Sequence, residues 1–128
     1  IKKMISAKKE SDTAGHAIEF RVNAEDPDKD FMPSPGQISS LFMPGGPGIR
    51  IDTFIYDGYK VVPFYDSLIA KLIVWGQSRK EAIDRSRRAI DEFKIEGIKT
   101  TLPFHAKILE KPNFNIGNIS TSFIEDNF

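Results

Sequence analysis

Residues 67–90 read SLIAKLIVWGQSRKEAIDRSRRAI, and the periodicity changes partway along. From Ser67 to Trp75 the run is almost wholly apolar and rich in β-favouring side chains. It is far too short for a membrane span of roughly 18–20 residues and fits a buried strand. Gly76 ends it. Ser78-Arg79-Lys80-Glu81 then fits a capping box, and Ala82, Ile83, Ser86, Ala89, Ile90 and Phe93 recur at helical spacing, with Gly97 as the expected terminator. A strand therefore passes straight into an amphipathic helix.

Upstream of this junction the pattern is strand-like. His16–Asn23 alternates, with Ile18, Phe20 and Val22 on one face and Ala17, Glu19, Arg21 and Asn23 on the other. Residues 24–36, AEDPDKDFMPSPG, carry three prolines and read as loop. Gln37–Met43 reads as a short strand. Ile49–Ile55 alternates again, and Tyr56-Asp57-Gly58-Tyr59 has the composition of a hairpin turn. Downstream the pattern is helical: Thr101–Glu110, stopped by Lys111-Pro112, and a last turn at Ser122–Asn127 with Ser122 and Glu125 as its cap pair. Strands first and helices last predict an α+β fold, an antiparallel β-sheet followed by two or three helices. Residues 1–14, polar and lysine-rich, read as a flexible leader or linker remnant, leaving 15–128 as one domain. Position 1 is not Met, which suggests a piece of a longer chain.

The bulk numbers narrow the function. There are 128 residues, with 18 Lys+Arg against 18 Asp+Glu. A balanced charge argues against nucleic-acid or anionic-membrane binding, both of which need a basic excess. The absence of cysteine removes disulfides and thiolate metal sites.

Several segments invite a chemical reading. Met43-Pro-Gly-Gly-Pro-Gly-Ile-Arg-Ile-Asp52 is glycine-rich, but it lacks the spacing of a phosphate loop or a dinucleotide turn. The next residues are strand-like, so no helix N-terminus is on hand to hold a phosphate, and Pro47 removes a backbone N–H. The segment reads as a tight turn whose rigidity aims Arg50, an always-charged fork of donors suited to an oxyanion. Asp26, Asp28 and Asp30 have the first spacing of a calcium loop. Phe31 and Gln37 stand where it needs Gly and Glu, so a turn beside Pro27 is preferred. His16 and His105 have no partner at catalytic or metal spacing and read as structural. Arg79, Arg85, Arg87 and Arg88, interleaved with Glu81, Asp84, Asp91 and Glu92, read as a solvated face with i,i+4 ion pairs. Lys71, beyond Asp66 in the apolar run, must reach an edge or a carboxylate. No nucleophile–base pair, carboxylate dyad or metal cluster is complete.

Six blocks taken together carry more: GHAIEFRVNAEDP (15–27), FMPSPGQI (31–38), PGGPGIRID (44–52), YDGYKVVPFYDSLIAKLIVWG (56–76), RKEAI (79–83) and EGIKTTLPF (96–104). In this order they resemble the C-terminal domain of biotin carboxylase, found also in acetyl-CoA, propionyl-CoA, methylcrotonyl-CoA and pyruvate carboxylases. The resemblance implies part of an ATP-dependent C–N ligase. In that chemistry MgATP activates bicarbonate as carboxyphosphate, CO2 is released, and a biotin enolate on a carrier protein is carboxylated. It implies that Arg50, by motif match, meets the biotin ureido oxygen, and that ATP and Mg2+ are bound by a part preceding these residues. The fragment is then expected to be inactive alone. Expected partners are a biotin carboxyl carrier protein or domain, a carboxyltransferase and a second copy in a homodimer, with Ser67–Trp75 as the candidate contact. The expected location is cytoplasmic, or the mitochondrial matrix for a eukaryotic carboxylase, with a role in fatty acid biosynthesis where the acceptor is acetyl-CoA. Two rivals stay open: a non-catalytic dimerisation or carrier-docking module, and a small-anion binder.

Overall fold

The structure, a computed structural model, describes residues 14–128, so the leader reading of residues 1–14 lies almost wholly outside it. Along the chain come β1 (His16–Asn23), β2 (Glu25–Asp26), β3 (Met32–Pro33), β4 (Gly36–Gln37), β5 (Ser40–Phe42), β6 (Ile49–Thr53), β7 (Lys60–Val61) and β8 (Leu68–Gly76). Then come α1 (Arg79–Glu92), β9 (Lys94–Glu96), α2 (Leu102–Glu110), α3 (Pro112–Asn115) and α4 (Phe123–Asn127).

The apolar run becomes β8, the central strand of a three-stranded antiparallel sheet ordered β1-β8-β6. Phe20 pairs with Leu72 and Leu72 with Ile51, while Ile18 pairs with Val74 and Val74 with Ile49. The inner face therefore presents Phe20, Val22, Leu72 and Val74, and α1 lays Ile83, Ala89 and Ile90 against it. Ser86, fully buried within that helix face, donates its hydroxyl to the Ala82 carbonyl at 2.6 Å, so the polar atom is satisfied. Among the described residues the architecture is α+β with antiparallel pairing throughout, as the order of periods predicts.

The junction between β8 and α1 works as the sequence suggests, with one change. Ser78 Oγ accepts from the Glu81 amide at 3.1 Å. The Glu81 carboxylate returns to the Gln77 amide at 2.6 Å, one residue earlier than a reciprocal capping box would place it. Gly76 is required here, because a Cβ at that position would sit 2.5 Å from the Ala82 amide nitrogen.

Four readings are corrected. Gln37–Met43 is not one strand. Gly36 pairs with Val61 in β7 and Leu41 with Ile95 in β9, and the chain changes partner around the fully buried Ile38. Helix α1 ends at Glu92 rather than running on toward Gly97. Phe93 turns extended and buries its ring, and the alternating Lys94-Ile95-Glu96 pairs with β5. The turn Tyr56–Tyr59 forms, with Tyr59 N–H donating to the Tyr56 carbonyl at 3.0 Å, but it joins strands that do not pair with each other. Ser122 precedes α4 without capping a backbone amide; its hydroxyl donates to Asp126 Oδ2 at 3.0 Å instead. Lys111-Pro112 stops α2 as expected and also starts the one-turn α3. No helix among the described residues is long and apolar enough to cross a membrane.

Candidate functional site

The glycine segment folds as a turn, not a cradle. Ile49 N–H donates to the Gly46 carbonyl at 3.2 Å, Pro47 takes the second position and Gly48 the third at φ +75°. Proline then glycine with positive φ is the type II arrangement. The Gly48 carbonyl accepts from the Trp75 amide at 2.8 Å, tying the turn to the end of β8. Strand β6 starts at the next residue and alternates, placing Ile49, Ile51 and Thr53 inward and Arg50 and Asp52 outward.

Arg50 and Asp52 are two residues apart on one face of the strand, where side chains stand side by side. Arg50 Nε donates to Asp52 Oδ1 at 2.9 Å and Nη2 to Oδ2 at 3.1 Å, a bidentate ion pair. The two side chains remain 71% and 45% exposed. The hydrogen bond and negative charge of Asp52 raise the Arg50 pKa above its ordinary value, and the guanidinium is a permanent cation in any case. Across the ladder, Ile73 of β8 faces Arg50 and Lys71 faces Asp52. Lys71 also faces Arg21 of β1, so the outer face of the sheet carries a row of charge at this level. The lysine that interrupts the apolar run therefore stands on the outer face, at the level of a carboxylate.

The arginines of α1 do more than solvate the helix. Ion pairs do form: Arg85–Glu81 at 3.2 Å, Arg88–Glu92 at 3.0 Å, and Lys80 and Arg87 both on Asp84 at 2.8 Å. The Lys80 hydrogen bond, with the positive charge of Lys80 and Arg87, holds the Asp84 carboxyl below the usual range. But Arg85 also donates to the Trp75 carbonyl and Arg88 to the Gly45 carbonyl at 3.3 Å, so two of them brace the turn that precedes Arg50. Arg87 donates to the Leu109 carbonyl at 3.0 Å and to Asn115 Oδ1 at 2.9 Å, covering the end of α2. Arg79 donates to the Phe114 carbonyl at 2.6 Å and stacks 4.9 Å over that ring. The signal that finds Asp52 is the alternation of opposite charges at i and i+2. The bracing by Arg85 and Arg88 has no such signal, because their partners are backbone carbonyls 10 and 43 positions away.

The remaining candidates fall into structural roles. Asp26 Oδ1 accepts from the Asp28 amide at 3.0 Å and opens a 3-10 turn over Pro27–Lys29, matching the turn reading. Asp66 Oδ1 accepts from the Leu68 amide at 3.0 Å at the start of β8. His105 Nε2 donates to the Arg21 carbonyl at 2.7 Å, and its ring meets Phe20 edge-on at 5.3 Å. Burial lowers its pKa, with the Arg21 hydrogen bond acting the other way. His16 lies 3.2 Å from an Arg79 nitrogen. Among the described residues no three His, Asp or Glu side chains converge as metal ligands. Arg50 with Asp52 is thus the arrangement best suited to meeting an anionic oxygen.

Comparison with known proteins gives this geometry a setting. Residues 19–126 match the family model for the biotin carboxylase C-terminal domain. The chain is 57% identical over 112 residues to biotin carboxylase from Nostoc sp., covering 88% of this chain and 25% of the relative. It is 55% identical over 111 residues to biotin carboxylase 1 from Bacillus subtilis, covering 87% and 25%. The chain thus spans about a quarter of the length of these curated relatives. Among solved structures, the biotin carboxylase domain dimer of Hydrogenobacter thermophilus 2-oxoglutarate carboxylase, in complex with MgADP and bicarbonate, superposes with a TM-score of 0.85 at 46% identity, covering 88% of this chain and 25% of that one.

Proposed function

This chain belongs to the biotin carboxylase C-terminal domain family, and from that membership we propose that it forms the C-terminal part of an enzyme carboxylating carrier-bound biotin with bicarbonate and MgATP. Its own contribution is Arg50. When the biotin N1′ proton is removed, negative charge grows on the ureido oxygen. A fixed guanidinium beside that oxygen stabilises the charge more as it develops than before, and that difference is what accelerates a reaction. The single observation carrying this reading is the exposed guanidinium of Arg50, held by Asp52 at the exit of a rigid turn. ATP and Mg2+ are assigned to residues outside this chain; MgADP accompanies the Hydrogenobacter relative.

The partners belong to the same proposal: a biotin carrier, a carboxyltransferase, and a second copy. The outer face of β8, where Trp75 is 41% exposed, is the surface offered to that copy, in keeping with the dimer described for the Hydrogenobacter protein. The test is Arg50→Ala in the intact enzyme. Biotin carboxylation should slow by about 10²-fold, the scale of losing one transition-state donor, with the KM for ATP unchanged. An equal loss of ATP binding would make Arg50 a structural residue, and unimpaired carboxylation would favour a docking module instead.

A further inference from the structure

An exposed ion pair adds little to stability, because water screens it and two side chains lose freedom to form it. The Arg50–Asp52 pair therefore calls for an explanation other than strength, and its geometry supplies one. A guanidinium has five N–H groups in one plane. Asp52 engages Nε–H and one Nη2–H, the side edge of that plane. The distal fork, made of the Nη1 hydrogens and the second Nη2 hydrogen, is left pointing away from the carboxylate. The backbone at Gly48 is already anchored to β8 through the Trp75 amide. What still varies in a long exposed arginine is its side-chain torsions, and a two-point contact with a neighbour on the same strand face removes that freedom. The ladder offers no competing acceptor at this level, because the residue facing Arg50 is Ile73.

We propose that Asp52 is a positioning residue: its carboxylate clamps the side edge of Arg50 so that the distal fork is presented to the substrate oxygen. This rests on the assignment of Arg50 to the ureido oxygen and deepens it. Without the clamp the guanidinium samples several rotamers, and only some place a donor where charge develops, so the loss falls on the chemical step.

The experiment is a double-mutant cycle in the intact enzyme, with free biotin as substrate. Asp52→Ala should lower kcat for biotin carboxylation about tenfold, a part of the ~10²-fold that misplacing a catalytic group can cost, while leaving the KM for ATP unchanged. Asp52→Glu should recover part of that loss, since it restores an acceptor pair within reach. In an Arg50→Ala background, Asp52→Ala should cost nothing further. The proposal is overturned if Asp52→Ala stays within about twofold of the parent, or if its effect persists undiminished in the Arg50→Ala background. If Arg50→Ala alone leaves carboxylation intact, the assignment of Arg50 falls and takes this one with it.

Discussion

Gly48→Ala is the substitution that probes the turn before Arg50 most sharply, and its cost can be worked out in parts. Gly48 has φ +75°, a conformation that costs an L-residue about 1–2 kcal/mol. A Cβ there would also lie 2.6 Å from the Trp75 carbonyl oxygen and against the Arg85 guanidinium. Arg85 can swing away, but Trp75 O belongs to the backbone of the central strand. The turn must then lift, which strains or breaks the 2.8 Å bond between the Trp75 amide and the Gly48 carbonyl, a further ~1 kcal/mol. The sum is about 2–3 kcal/mol, or a fall in Tm of roughly 6–10 °C for a domain of this size. Gly45→Ala is the control, since a Cβ there meets nothing within 4 Å and its φ is not positive; it should cost less than about 0.5 kcal/mol. Urea and thermal unfolding of both variants, followed by circular dichroism, give the answer. Equal effects from the two glycines would refute the type II turn and its close approach to β8.

Two more outcomes are expected. Leu72→Ala removes a fully buried side chain from the middle of β8 and should cost about 2–5 kcal/mol, read as a shift in the urea midpoint with little change in slope. Burial keeps the His105 imidazole below its ordinary pKa, so the folded state binds fewer protons than the unfolded one. Its contribution is fully present above the unfolded value of about 6.5 and is lost as pH falls below it. Wild type should therefore lose more Tm between pH 7 and pH 5 than His105→Gln does; parallel profiles would exclude this role for His105.

How much of the fold was legible in the sequence depends on the range of the interaction. Long segments with their own period, such as Leu68–Gly76 and Arg79–Glu92, announced themselves, because burial on one face or both imprints a pattern that no partner need supply. The turn at Gly46–Ile49 was legible for the same reason: Pro-Gly chemistry is local. Lys94–Glu96 was not. Three alternating residues after a helix are too few to declare a strand, and what makes them one is pairing with Ser40–Phe42, far earlier in the chain. The change of partner at Ile38 was hidden likewise, since nothing local says that Gln37 pairs with β7 and Leu41 with β9. At the candidate site, the alternation that turned Arg50 outward also turned Asp52 to the same side. The i,i+2 alternation of opposite charge at Arg50 and Asp52 is the local signal of that pair.

In the intact enzyme the distal fork of Arg50 is expected to meet the biotin ureido oxygen while Asp52 holds the other edge. A crystal structure of the intact enzyme with free biotin and ADP bound tests it directly. The expected result is an Arg50 Nη within about 2.7–3.1 Å of that oxygen, with both Asp52 contacts still in place. A ureido oxygen bound by other donors, with Arg50 turned away, would contradict it.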